Sequence, residues 1–264
     1  MSKLNHIFLI LFFSFSCQSQ KDLTSVKYEL KKDTIICSAL EGEYSFNTIK
    51  ITHKDIFIEK KINAYLLEQE YDQNTNSYIS IYQKSIDSLK KSCNEAYDFS
   101  NFIFNEYEVL YNSNYFLSLK DSYYLDRASQ ENISFYNFNL RNGELYNVFD
   151  IIEESKKIEF LALINTKVQN AIDKEIKDSD TKEKIDLDRV ETIKEYRKEF
   201  TEENLDSFFL KKDKETLKPL LSFHFSLEMP QVVKAFEPHF DLSFPVNEII
   251  LYLNPSFTKQ FKLN

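Results

Sequence analysis

The chain has 264 residues, 42% of them hydrophobic, which is enough apolar material for a substantial core and argues against intrinsic disorder. A formal net charge of −9 argues against nucleic acid or an anionic membrane surface as a direct partner. With only two glycines, Gly42 and Gly143, no dinucleotide fingerprint, P-loop or serine nucleophile elbow can be written, and no cofactor is expected.

From Ile7 to Phe15 every residue except Ser14 is apolar, and the chain turns polar just after Cys17. That run is too short to span a membrane, which takes about 20 apolar residues. It suits the apolar part of a secretory signal peptide, preceded by Lys3. The junction predicts a lipoprotein signal over residues 1–16, acylation of Cys17 as the new N-terminus, and a polar tether over 17–25. A single domain would then occupy 26–264. The alternative is ordinary cleavage after Ser14-Phe15-Ser16, since Ser14 stands where lipoprotein signals usually carry Leu. Either way the chain is expected to be exported to a bacterial cell envelope; with Cys17 acylated, the lipid is its sole hold on the membrane, on the periplasmic face or the cell surface. Export leaves Cys37 and Cys93 in an oxidising compartment. Two readings stay open: a bridge, contributing about 4 kcal/mol in the chain-entropy model, or two separate buried thiols.

Taken in order, Val26 to Leu40 predicts an early strand through "DTIICSAL". In Glu59 to Glu70, Ile62, Tyr65 and Leu66 stand at helical spacing, and from Tyr78 to Tyr97 the apolar residues Ile79, Tyr82, Ile86, Leu89 and Cys93 recur every three to four positions. Phe104 to Leu125 alternates, which predicts two strands joined near Asn112-Ser113-Asn114. Asn142-Gly143 predicts a tight hairpin turn with positive φ. Lys156 to Ile176 reads as a helix with Ile158, Leu161, Ile164, Val168 and Ile172 on one face, followed by a charged loop over 177–184 and a second helix over 186–200. Two strands are expected across a turn near Asp213-Lys214. All five prolines come after it, from Pro219 to Pro255, with turns at Met229-Pro230 and Glu237-Pro238 and a short helix around Val246 to Leu253. The order predicts an α+β fold: antiparallel sheet and hairpins packed against two or more amphipathic helices.

Three stretches form a recognisable series: "YFLSLKDSYYL", "YNFNLRNGELYNVFDII" and "LLSFHFSLEMPQVVKAFEPHFDLSFPVNEIILYL". Leu117-Ser118-Leu119, Asn137-Phe138-Asn139, Gly143 and Phe149-Asp150-Ile151 occupy the places of a strand–hairpin–helix pattern. In this the chain resembles the RsiV-like extracytoplasmic domain of lysozyme-sensing anti-sigma factors, a domain also found beside peptidoglycan deacetylase domains. The resemblance covers roughly Tyr107 to Phe261. It implies a sensor or accessory module, and a lysozyme-like protein or a wall glycan as ligand. Where many relatives carry a glycine-rich stretch, this chain has Tyr124-Leu125-Asp126-Arg127-Ala128, and it lacks their cytoplasmic anti-sigma segment and transmembrane helix.

Once His6 leaves with the signal, His53, His224 and His239 remain, and neither HExxH nor CxxC spacing occurs, so no metal site is expected. The one notable polar cluster is His224, Glu228, Glu237, His239 and Asp241, residue types that can ligate a metal or act as acid and base. The plainer reading makes them solvated surface groups, because His224 alternates with Phe223 and Phe225 along a strand. Two function classes result. The first is a lipid-anchored envelope binding protein without catalysis, with a candidate partner loop carrying Tyr123, Tyr124, Asp126 and Arg127. A plain variable loop is the alternative at that place. The second class is an envelope hydrolase using the His/Glu cluster, which requires three or more of those side chains to converge on a concave pocket.

Overall fold

The structure is a computed structural model and describes residues 26–37, 42–67, 78–95, 103–125, 131–179 and 184–261. The signal segment, Cys17 and the whole of the expected tether fall outside these residues. Among the described residues no helix is long and apolar enough to cross a membrane.

Three antiparallel sheets and a set of helices make up the α+β fold expected from the sequence. The first sheet pairs β1 (Lys27–Cys37) with β2 (Gly42–Thr52) over their full length. The second strand was not expected, because "GEYSFNTIKIT" spends its alternation on mostly polar residues; among its described side chains Thr48, Ile49 and Ile51 are buried. Helix α1 (Ile56–Leu66) starts where the Asp55 carboxylate accepts from the Phe57 N–H. It buries Ile58, Ile62 and Leu66, four residues apart. The buried Asn63 amide faces the peptide of Ile51, accepting from its N–H at 2.8 Å and donating to its carbonyl at 2.7 Å. A side chain thus supplies both partners of a strand residue. Helix α2 (Tyr78–Glu95) comes next; Ile86 is buried and Tyr82 half-buried as their spacing implied, but Ile79, expected on the same face, is 73% exposed and Tyr78 is buried in its stead.

The second sheet is a meander of β3 (Ile103–Asn112), β4 (Phe116–Leu125) and β5 (Glu131–Asn139), with β4 in the middle. The β3–β4 connection lies where Asn112-Ser113-Asn114 predicted it, and a bulge at Val109/Tyr111 interrupts the register. The two faces of β4 serve different cores. Leu117 and Leu119 pack with Phe138 against Ile58 and Ile62 of α1. Phe116 faces the larger C-terminal cluster, stacking on Tyr146 at 4.7 Å.

After β5 the chain turns tightly over Leu140 to Gly143. The Asn139 carbonyl accepts from the Gly143 N–H at 2.8 Å, and the Asn139 N–H donates to the Glu144 carbonyl at 2.7 Å. Gly143 has φ +72°, a conformation that favours glycine, and a Cβ there would sit 3.3 Å from the Ile58 carbonyl oxygen, a tight contact that the neighbour would have to relieve by moving slightly. The turn differs from a two-residue Asn-Gly hairpin: four residues span it, Gly143 takes positive φ but Asn142 does not, and the returning arm contributes a single bridge, Phe138 to Leu145, and not a strand. A capping box between Asn147 and Asp150 then opens α3 (Val148–Ile151).

Helix α4 (Lys157–Asp178) buries Phe160, Ile164, Val168 and Ile172 against the third sheet. It runs into the stretch expected to be a charged loop. Helix α5 (Lys184–Glu195) lies beside it, tied by the ion pair of Arg189 with Glu175, and just past its end Arg197 pairs with Asp173 of α4. The third sheet is β6 (Phe208–Lys212), β7 (Pro219–Ser226) and β8 (His239–Pro245), with β7 central. Its inner face carries Leu210, Leu221, Phe223, Phe225, Leu242 and Phe244, all buried. At the C-terminus, Phe257 of α6 (Pro255–Thr258) closes on Phe116 and Tyr146.

Candidate functional site

The face of the third sheet turned away from α4 is set by strand alternation. With Phe223 and Leu242 inward, the cross-strand partners His224 and Asp241 point outward together. Phe209 and Lys211 share that outward face on β6, since Phe208 and Leu210 point in. Strand β6 lies against the second sheet, and a buried polar seam fixes the contact. The Ser118 hydroxyl donates to the Asn137 side-chain carbonyl at 2.7 Å, and the Asn137 amide donates to the Phe208 carbonyl at 2.7 Å. The Leu210 N–H donates back to the Ser118 hydroxyl at 3.3 Å. Ser118 and Asn137, two residues of the recurring strand–hairpin pattern, therefore act by joining the sheets.

Beside the seam, residues of the two sheets line a cleft of about 410 Å³. One wall carries Glu108, Lys120 and Phe135; the other carries Phe209, Lys211 and His224. Phe135 stacks on Phe209 with ring centroids 4.3 Å apart and planes 7° from parallel, and lies 5.8 Å from the His224 ring. Across the mouth runs a chain of polar contacts. Lys211 Nζ is 3.6 Å from Asp241 Oδ2, Asp241 Oδ1 is 3.0 Å from His224 Nδ1, and His224 Nε2 is 3.3 Å from His239 Nδ1. Burial pushes the Asp241 carboxyl up, but the His224 hydrogen bond and the charges of Lys211, His224 and Lys120 outweigh it, holding the group below its ordinary value of 3.8. Asp241 is therefore ionised at neutral pH and accepts only, so His224 Nδ1 donates. In neutral rings His224 Nε2 then accepts from His239 Nδ1–H.

The expected cluster divides. His224, His239 and Asp241 come together on the cleft; Glu228 and Glu237 do not join them. The backbone path after β7 separates them. After β7 the chain takes a positive φ of 54° at Glu228 and enters a 3₁₀ segment over Gln231–Phe236. Glu228 pairs with Lys198 at 2.9 Å. Glu237 turns inward with a fully buried carboxylate, accepting from the Met229 N–H at 2.8 Å and pairing with Lys234 at 2.5 Å. Among the described residues no group of three or more His, Cys, Asp or Glu side chains is arranged to hold a metal ion. In this trio the reason is geometric: the ring nitrogens point at one another and at the carboxylate along a line, and share no common centre.

Lys120, Phe135, Phe209 and Lys211 were not anticipated. Nothing local in the sequence marks them, because they meet through the docking of two sheets. The partner-loop residues Asp126 and Arg127, and the side chains of Tyr123, Tyr124, Cys37 and Cys93, lie outside the described residues. By backbone, Tyr124 sits in β4 four positions beyond Lys120, paired with Glu131 of β5. Cys37 ends β1, and Cys93 lies near the end of α2.

No protein-family model matches the chain, and no curated protein matches its sequence. Among solved structures, the chain is similar to a member of the DUF3298 family from Bacteroides fragilis, with a TM-score of 0.52 and 12% identity over 89% of this chain and 96% of that one. A DUF3298 family protein from Pseudomonas aeruginosa aligns with a TM-score of 0.47 and 10% identity, over 88% of this chain and 96% of that one. The chain is thus an α+β protein that shares the fold of the Bacteroides fragilis DUF3298 family member.

Proposed function

We propose that the protein is an RsiV-like, lipid-anchored binding module of the cell envelope that holds a ligand in the cleft between its second and third sheets and performs no chemistry on it. The observation carrying this reading is the make-up of the cleft. It combines an aromatic floor with a rim of charged groups, and no serine, threonine or cysteine is among the described residues that line it. The Asp241–His224–His239 chain fixes the orientation of both imidazoles at the mouth of the cleft. The junction at Cys17 supports export and anchoring. The cleft's concave form favours a segment of wall glycan over a protein surface as the guest.

A hydrolase is the second reading, favoured by one observation: three of the five expected polar residues do converge on a concave pocket, where an Asp-oriented imidazole pair can move a proton. One experiment separates the two. The full chain is incubated with purified wall sacculi, which are then sedimented and whose soluble products are analysed by mass spectrometry. The binding reading expects co-sedimentation with no released fragments, and a loss of binding in the His224→Gln/His239→Gln double variant. Fragment release by the wild type that vanishes in the folded double variant establishes the hydrolase. A parallel arm with immobilised lysozyme tests the protein ligand that the family resemblance implies.

A further inference from the structure

We propose that the end of the domain at which the tether enters is a bilayer-contacting surface, with Ile56 and Phe57 set into the headgroup region of the membrane that carries the lipid anchor. The proposal rests on the anchoring reading above and adds a protein–lipid contact to it. Its basis is where the domain begins. Val26 is buried, and its carbonyl accepts from the Asn112 amide at 2.8 Å, so the chain preceding it joins the domain at a fixed point. Lys27 pairs with Thr52, which puts the start of β1 beside the end of β2. Helix α1 begins four residues after Thr52, and the His53 N–H donates to the Glu59 carboxylate at 3.0 Å, so the first turn of α1 is tied to that same end.

This end presents apolar side chains to solvent. Phe57 is 58% exposed, Ile56 52% and Tyr28 48%. A single exposed apolar residue is ordinary on a protein surface, but Ile56 and Phe57 are consecutive, and Ile58, Ile62 and Leu66 already fill the inner face of their helix. Lys27 and Lys54 are exposed beside them, while the carboxylates of Asp55 and Glu59 are turned to the backbone N–H groups of Phe57 and His53. Apolar tips edged by ammonium groups suit the boundary between acyl chains and phosphates. The reach of the tether selects the occupant. Nine residue steps separate Cys17 from Val26. Fully extended they reach at most about 32 Å, less than the width of roughly 45 Å for a compact chain of this length. An acylated Cys17 therefore holds this end within reach of the bilayer and keeps the opposite end from facing it. A contact of this size adds to the lipid and does not replace it, so it sets how the domain stands on the membrane.

The chain has no tryptophan, so Phe57→Trp places a single fluorescent probe in this surface. Val232→Trp, at a site 91% exposed in the segment between β7 and β8, is the control. Each full chain, processed in the cell, is purified and reconstituted into phosphatidylcholine vesicles with and without bromine on the upper part of the acyl chains. The zwitterionic lipid keeps the chain's net charge of −9 out of the comparison. The expected result is a loss of Phe57→Trp emission in the brominated vesicles, with Val232→Trp emission unchanged. If Phe57→Trp lowers the melting temperature, Ile56→Trp, at the neighbouring exposed position, supplies the same readout. Flotation of the protein with the vesicles, together with the mass of its N-terminal residue, reports the anchor separately. A lipidated protein that floats while the probes at 56 and 57 stay unquenched overturns the proposal and leaves the anchoring reading in place. Equal quenching of Val232→Trp also overturns it, because the domain then has no preferred face. A protein that carries no lipid and does not float removes the anchoring reading, and the proposal with it.

Discussion

Replacing Asn137 with alanine tests whether the polar seam holds the cleft in shape. The Asn137 side chain is buried, with the residue 3% exposed, and it makes two contacts of 2.7 Å, one from the Ser118 hydroxyl and one to the Phe208 carbonyl. Truncation deprives both partners in a place that water does not readily reach. Each buried polar group left without its partner costs about 1–3 kcal/mol, so Asn137→Ala should cost about 2–4 kcal/mol. For a chain of this size that lowers Tm by roughly 5–15 °C. Urea titration followed by far-UV circular dichroism measures the loss. Ser118→Ala should cost less, because Asn137 retains the Phe208 carbonyl. The double variant should fall short of the sum, since the two side chains touch. Strand β6 carries both Phe209 and Lys211 into the cleft, so the His224 NMR signal should move in Asn137→Ala even where the protein stays folded. A loss under about 1 kcal/mol, or strict additivity with Ser118→Ala, refutes the seam as the element joining the sheets.

Gly143→Val should destabilise the protein by at least about 1–2 kcal/mol, since a β-branched residue resists φ +72° and its Cβ would meet the Ile58 carbonyl at 3.3 Å; an unchanged urea midpoint would contradict this. Asp241 has a folded pKa below its ordinary 3.8, so its contribution to stability is complete above that pH and disappears as pH falls through the lower folded value. Thermal melts from about pH 5 to about pH 2 should therefore fall less steeply for Asp241→Asn than for the wild type, and parallel curves would show that the His224 and Lys211 contacts carry no such linkage. Cys17→Ala should release the protein from membranes and abolish incorporation of a fatty-acid probe, whereas membrane retention of a wild type that takes up no label would overturn lipidation.

What the sequence made legible depended on how local each signal was. Ile164, Val168 and Ile172 repeat every four residues, and α4 buries them all. The turns at Asn112-Ser113-Asn114 and Asp213-Lys214, and the glycine preference at 143, were equally readable, because each is set by a few adjacent residues. Strand β2 was missed since its partner, β1, supplies the regularity that its own polar residues do not show. The candidate site was half legible. His224 and Asp241 were named for their chemistry, but proximity along the chain wrongly grouped Glu228 and Glu237 with them. Whether a residue faces a cleft or the core depends on strand phase and on the backbone path after each strand, and a one-residue change in phase moves a side chain to the opposite face. Phe135 and Lys211 are 76 positions apart in sequence, and only the docking of β6 on the second sheet brings them together.

The double allegiance of β4 also bears on how the molecule opens. Leu117 and Leu119 belong to the α1 side, Phe116 to the C-terminal side, and neighbours on both edges take up the strand's backbone groups. Detaching either core uncovers one face of the same strand, so neither half can melt without cost to the other. In hydrogen–deuterium exchange the amides of Leu117, Ser118 and Leu119 should be released only by complete unfolding, at a rate that tracks global stability across denaturant concentrations. The amides of α5, on the periphery, should exchange through smaller, denaturant-insensitive openings.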